Sequence, residues 1–374
     1  MSLSAEKRET QSISVADMMD HFAHSQPVLL KHAQRETLTG RDFTGAIWIE
    51  CDLSGSDFSN SCLLNAQFVS CDLSGCTFSS AQLISTQFIR CVLSSARFDG
   101  CALDNAQFIE CKTDKLGLRG ASLNQTGMAQ SDLSGADLGA ATADRCAVLD
   151  CGIGGISIEN ATLTNFIMTG ADLREVNLTN ATIDTAVFAD ADLSGKDLSG
   201  QTFQRCTFNK GQFAGANLSG AVLQQSMFIA CDLTKADLSR SGAKLAAFNG
   251  CALDGANFSG SNLIMAGFSG SSLTGADFTG SHMWSAVLQD TDCRAARFEH
   301  SDLRQVDFSH ANLAAANLGA AVFANTKMHA AKTDATLLSG TYGSILGTDE
   351  NLLVAEAYAP RQVLLDDDDR QNAP

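Results

Sequence analysis

A period of five residues runs through most of this chain and constrains its fold more than any other feature. Every fifth position from Leu38 to Leu338 holds a large apolar residue, with five exceptions and no insertion or deletion that breaks the phase. The exceptions are Thr113, Ala143, Ala243, Cys293 and Thr333. This period fits neither an α-helix nor an alternating strand. The chain is therefore one short unit repeated many times, and its length alone does not set the number of domains.

Each unit carries one large and one small apolar residue. The position two before the large central residue is mostly Ala, Cys or Ser, and the position between them is often Asp or Asn. Regular copies are CDLSG at 51–55 and ADFTG at 276–280. One large and one small inward residue suit a coil with short flat sides, and the Gly or Ser that follows the centre suits a bend.

This A-(D/N)-L-x-x pattern resembles the pentapeptide-repeat family over about residues 36–340. The resemblance implies an all-β fold, a right-handed quadrilateral β-solenoid with four pentapeptides in each coil. Seven cysteines support a coil of twenty residues independently, because they share one phase. They are Cys51, Cys71, Cys91, Cys111, Cys151, Cys231 and Cys251. About 15 coils at a strand spacing of about 4.8 Å make a rod about 70 Å long.

We divide the chain into three parts. Residues 1–35 are predicted to hold an N-terminal capping helix and a lead-in, 36–340 the solenoid, and 341–374 a C-terminal helix and an acidic disordered tail. Ser14 is the candidate N-cap of the first helix, and Thr348 that of the second. A loose arm is the alternative for the N-terminal segment. Residues 141–168 are the least regular, and we expect a bend or looser packing there.

Charge and hydropathy indicate which kinds of binding partner the chain favours. The chain has 25 basic and 42 acidic residues, a net charge of −17. Phosphate groups are bound by clustered Lys and Arg, so this balance disfavours direct binding to nucleic acid or to an anionic membrane. The N-terminus is polar and no long apolar run follows, so we predict neither a signal peptide nor a membrane span. A basic protein surface fits this charge.

The cysteines are predicted to fill the core. Eleven of the 13, all but Cys62 and Cys293, occupy the small inward position. A buried free Cys behaves as a small hydrophobe. Neighbours such as Cys71 and Cys91 lie within disulfide range, but so many buried thiols indicate a reducing compartment, and we predict a cytoplasmic protein. A single column of thiols does not surround a zinc ion tetrahedrally.

The sequence predicts no catalytic residue, no cofactor and no metal site. Fifteen Asp residues stand before a centre, so acidic residues follow the repeat. General acid–base catalysis needs a concave, desolvated pocket, and an uninterrupted rod offers no obvious place for one. Nucleotide-binding loops, nucleophile elbows and zinc signatures are absent from the sequence. His310 and His329 are diagonal neighbours at best, and we expect solvated surface side chains there.

Outward positions on one face, and on the face beside it, form a candidate interface. Apolar residues stacked on neighbouring coils make a continuous surface that is typical of interfaces. The alternatives are that β-branched residues simply suit strands, or that a terminal segment covers them. We call the candidate residues the apolar stripe: Ile49, Val69, Ile89, Ile109, Leu64, Ile84, Ile167, Val187, Met227, Ile229, Ile264 and Trp284.

The favoured function is that of a non-enzymatic protein–protein interaction or scaffold rod, and a homodimer is a further use of the apolar stripe. The resemblance adds a role as an accessory or effector of a bacterial secretion system. It also implies the alternative, a DNA mimic that binds type II topoisomerase (gyrase) and gives fluoroquinolone or toxin resistance. The acidic face for that role carries Asp137, Asp197, Asp237 and Asp277. Asp before the centre is part of the general repeat, so acidity alone is weak support.

Overall fold

The computed structural model describes residues 11–357 and forms a parallel β-solenoid of about 17 coils. The chain returns to the same face every twenty residues, as the pairing of Phe68 with Phe88 shows. Coils outside the counted repeats raise the number above 15, because Val28 already pairs with Trp48 and Ile345 still pairs with Thr326. The predicted all-β solenoid is confirmed.

Eleven strands stack on one side, which we call the Phe face. They are β2 (Val28–Leu29), β4 (Ile47–Ile49), β5 (Gln67–Val69), β6 (Gln87–Ile89), β7 (Gln107–Ile109), β8 (Gly127–Ala129), β10 (Ala147–Leu149), β12 (Ile167–Thr169), β14 (Val187–Ala189), β16 (Thr207–Asn209) and β17 (Met227–Ile229). The adjoining face carries β9 (Thr142–Asp144), β11 (Thr162–Thr164), β13 (Thr182–Asp184) and β15 (Thr202–Gln204). Two further pairs are β1 (Gln11–Ser12) with β3 (Lys31–His32), and β18 (Thr326–Lys327) with β19 (Ile345–Leu346). Elsewhere single parallel bridges join the coils.

The corners of the coils are residues in the left-handed backbone region. They recur at almost every fifth position, with φ of 70° at Gly55, 57° at Asn65 and 59° at Leu245. Glycine adopts this conformation without strain and Asn at low cost, whereas a bulky side chain such as that of Leu245 is strained. The fifth position of the repeat is therefore rich in Gly without requiring it everywhere.

Stacked aromatic rings form the centre of the core beneath the Phe face. One run extends from Trp48 to Phe108 and a second from Phe188 to Phe268, with neighbouring ring centroids 4.5 to 5.2 Å apart. Between the runs the central residues are Met128, Val148 and Met168. An apolar cavity of about 20 Å³ lies in this part of the core, lined by residues that include Ile156 and Phe166. The stack of flat rings is thus interrupted around 141–168, where the sequence predicts a bend or looser packing.

Helix α1 (Val15–Ala23) covers the first coil. Its Met18 is fully buried, and the Phe22 ring lies 4.7 Å from that of Trp48. Ser14 caps the helix as predicted, since its hydroxyl accepts the backbone N–H of Asp17 at 3.1 Å. The cap stabilises the first turn of α1, and the apolar side of the helix packs against the end of the core.

Helix α2 (Glu350–Glu356) lies at the other end and has no buried residue. Its N-cap is Asp349, whose carboxylate accepts the N–H groups of Asn351 and Leu352 at 3.0 and 3.2 Å. The predicted cap, Thr348, is wrong by one residue, because its hydroxyl instead accepts the N–H of Ala330. The predicted disordered tail, 366–374, lies outside the described residues. Neither helix in 11–357 has the length and apolarity to cross a membrane.

Candidate interaction surface

The first four residues of the apolar stripe form a column on the Phe face. Ile49, Val69, Ile89 and Ile109 pair in register, each one coil from the next. They point outward because successive residues of a strand face opposite sides, and the aromatic residue beside each one, Trp48 or a Phe, is buried. All four are half-buried, since the neighbouring coils cover their flanks.

This column is longer than the sequence analysis predicted. Leu29 pairs with Ile49 at one end, and Ala129 with Ile109 and then Leu149 at the other. We call these seven residues the Leu29–Leu149 column, which extends for about 29 Å at about 4.8 Å per coil. Its ends are the most open, with Leu29 46% and Leu149 38% exposed. Both leucines share the twenty-residue phase of Ile49. Leu29 precedes the counted repeats, however, and Leu149 lies in the irregular stretch, so neither was among the predicted residues.

The other members of the apolar stripe form pairs rather than one row. The pairs are Ile167 with Val187, Met227 with Ile229, Leu64 with Ile84, and Ile264 with Trp284. Thr207 and Asn209 separate the second pair from the first. Trp284 is 40% exposed, so the pairs add apolar surface without extending the column.

The carboxylates of the proposed acidic face bind the backbone of their own repeats. Asp137, Asp197, Asp237 and Asp277 each accept the N–H two residues later, at 2.8 to 3.1 Å. Hydrogen bonds from Ser199 hold the pKa of Asp197 below its ordinary value. These aspartates therefore stabilise corners of the solenoid. This structural role is enough to explain why Asp recurs at this position of the repeat.

The small inward position has a hydrogen-bonding role that composition did not reveal. Many of its Cys, Ser and Thr side chains donate to a carbonyl 23 residues earlier, as in Cys91 Sγ to Phe68 O at 3.2 Å, whereas others, such as Ser61, donate to a carbonyl three residues earlier. All 13 cysteines are free, and all but Cys62 are buried. Burial raises the pKa of Cys76 and of Cys101 to about 12. These two thiols donate to the carbonyls of Leu53 and Phe78, and a raised pKa keeps them protonated as structural donors.

A polar cleft of about 490 Å³ lies between the last coils and α2. There the Glu356 carboxylate is 3.2 Å from Nε2 of both His310 and His329. The hydrogen bond with His329 is the main cause that lowers the pKa of Glu356. His329 is only 6% exposed, so the expected solvated side chain is wrong there. The segment before α2 covers it, and Asp349 donates its N–H to Nδ1 at 3.1 Å.

Comparison with known proteins finds the same repeat. A family model described as a pentapeptide repeat region matches 41–118 and 201–278, and one described as pentapeptide repeats (8 copies) matches 157–186, 266–305 and 291–329. No curated protein matches the sequence.

Solved structures with this repeat also align to the chain. HetL from the cyanobacterium Nostoc, involved in heterocyst differentiation regulation, is 19% identical over 88% of this chain and 94% of its own, with a TM-score of 0.25. A pentapeptide repeat protein from the Arabidopsis thaliana thylakoid lumen is 30% identical over 28% and 72%, with a TM-score of 0.25. Full-length QnrB1, a plasmid-mediated fluoroquinolone resistance protein, is 18% identical over 48% and 93%, with a TM-score of 0.31.

Proposed function

This chain belongs to the pentapeptide-repeat family, and from that premise we propose that it is a non-enzymatic rod that binds a protein partner along the Leu29–Leu149 column. The observation that carries the proposal is the unbroken register of seven apolar residues that point away from the core. A stiff solenoid holds these side chains at a constant spacing. Such a row suits a partner with an equally regular row of apolar side chains.

The strength of this contact depends on how much of the column's apolar surface is still exposed and can be buried by a partner. Fully burying one aliphatic side chain contributes about 1.5–3 kcal/mol. The inner members of the column are already half-buried, so the six large residues contribute about 1 kcal/mol each, or about 6 kcal/mol in total. Association costs are of similar size. The column therefore aligns a partner but needs additional polar contacts beside it.

Polar contacts are available on the same strands. Gln67, Gln87 and Gln107 stack in register on the other outward position of the Phe face. Their amides both donate and accept hydrogen bonds. Because two copies of a chain with a net charge of −17 repel each other, we assign the column to a different protein, with a neutral or basic rim.

The acidic face gives weaker support to the DNA-mimic alternative. Residues 11–357 hold 36 acidic and 21 basic residues, a net charge of −15. Over about 80 Å, from about 17 coils at about 4.8 Å each, this is one charge per about 5 Å, whereas duplex DNA carries one per about 1.7 Å. The four aspartates of that face also hold corners of the coil. We therefore favour the apolar column over a gyrase-directed acidic face.

The free thiols support a reducing compartment, and we place the rod in the cytoplasm. An accessory or effector role in a bacterial secretion system is the finer form of the proposal, and it requires that the partner is a component of such a system.

The test compares two double variants of the same strands. Ile89→Asp with Ile109→Asp places two charges in the column, whereas Gln87→Asp with Gln107→Asp places them on the other outward position. Neither changes an inward residue, so circular dichroism should be unchanged for both. Each protein is immobilised and cross-linked in lysate, and the captured partners are identified by mass spectrometry.

We expect partners that the wild type and the glutamine variant capture and the isoleucine variant loses by at least about tenfold. Equal capture by all three proteins contradicts the column as the binding surface. Light scattering supplies the other outcome. A wild-type dimer that only the isoleucine variant loses would replace the foreign partner with a second copy of the chain.

A further inference from the structure

The cleft at the C-terminal end contains a second functional feature that the binding rod does not require. Three side chains with metal-ligating atoms converge there from two parts of the chain. His310 and His329 belong to the last coils of the solenoid, and Glu356 to α2. Their ligating atoms all lie within 4.8 Å of one another.

We propose that His310, His329 and Glu356 bind a divalent transition-metal ion, with zinc as the best fit, and that the ion fastens α2 to the solenoid. Two imidazoles and one carboxylate are a ligand set that zinc accepts. With bonds of about 2.0–2.1 Å, the ligand atoms of a tetrahedral site are about 3.3 Å apart. Glu356 Oε2 lies 3.2 Å from each histidine Nε2, which is close to that separation.

The packing of α2 is an independent reason to look for such a fastener. A helix of seven residues is not stable by itself in water. Tertiary packing normally supplies the missing stability, yet α2 has no buried residue, and Val354 is 71% exposed. Among the described residues, the contacts of Glu356 with the two histidines are what tie the end of α2 to the coils.

The cleft also allows an ion to enter and attracts it. Asp290, Asp307 and Asp349 line it together with Glu356, against the single basic residue Lys327. The side chains of His310 and Glu356 are 39% and 37% exposed, so two of the three ligands can be reached from solvent. A fourth, water-filled position on the cleft side completes the tetrahedron.

Ion binding has one structural requirement at His329. Its Nδ1 accepts the N–H of Asp349, so in the metal-free protein the ring proton is on Nε2, toward Glu356. Coordination through Nε2 needs the ring proton on Nδ1, so the hydrogen bond from the Asp349 amide is lost. The Asp349 amide should therefore exchange faster in the loaded protein while those of α2 exchange more slowly.

The experiment titrates zinc chloride into the chelator-treated full chain by calorimetry. His310→Gln and Glu356→Gln remove ligands at exposed positions, so the solenoid should stay folded. His300→Gln is the matched control, because His300 and His310 are both exposed corner residues with left-handed φ of 57° and 61°. We expect one equivalent of zinc in the wild type and control, and affinity at least about tenfold weaker in the two ligand variants.

Two results overturn the proposal. The first is a wild type that binds no zinc at micromolar concentrations. The second is equal binding by Glu356→Gln, which would assign the ion to thiols or other side chains. Limited proteolysis gives a separate readout, since zinc should slow cleavage within 348–356 in the wild type and not in Glu356→Gln.

Discussion

Replacing Phe228 by Ala tests the inward register on which the whole assignment of surfaces depends. The Phe228 ring is fully buried, stacked 5.0 Å from Phe208 and 4.9 Å from Phe248, and edge-on to Phe213 at 5.5 Å. A buried Phe→Ala change costs about 3–5 kcal/mol, and lost aromatic pairs add about 0.5–1.5 kcal/mol each. Because these terms overlap, we expect a loss near 5 kcal/mol. Phe228→Asp should prevent the middle coils from folding, since it buries an unpaired charge.

Urea unfolding followed by circular dichroism measures this loss. Phe228→Leu keeps an apolar side chain at the centre and should cost under about 2 kcal/mol. Ile229→Ala, at the next residue and 40% exposed, should change the free energy of unfolding by no more than about 0.5 kcal/mol. If Phe228→Ala and Ile229→Ala cost the same, the assignment of inward and outward positions is wrong.

Two further predictions concern the thiols and the corners. Thiol reagents should label Cys62 first and the others only after unfolding. Stability should fall as the pH rises from 9.0 toward about 12, because buried thiols such as Cys76 ionise only near the upper value; rapid native labelling of most cysteines would contradict the burial. Gly270→Ala should cost about 1–2 kcal/mol in thermal unfolding, because Gly270 has φ of +69° and open space around it. Gly154→Ala should be neutral or stabilising, because its φ is not left-handed and the added Cβ would lie 3.9 Å from Ser134 Oγ. Equal losses of stability in the two variants would show that the left-handed backbone is not the cause.

The repeat, together with the family resemblance that it carries, was enough to predict the solenoid and which positions point outward. A period without insertions places Phe68, Phe88 and Phe108 above one another and turns Val69 and Ile89 outward, whatever the rest of the chain does. Burial of the cysteines follows from the same phase. Each coil contacts mainly its neighbours, so local register determines the architecture.

Only the tertiary structure shows how the chain is arranged where the five-residue period weakens, around 141–168, and where it ends, before α2. The extension of the column to Leu149 depends on the irregular stretch keeping Leu149 paired with Ala129. The cap at Asp349 and the approach of Glu356 to His329 depend on the path of a segment outside the repeats. A repeat specifies each position relative to the coil before it, whereas a returning segment is positioned by contacts between residues distant in sequence. The sequence therefore determined the rod and its columns, and only the fold brought the two histidines and Glu356 together.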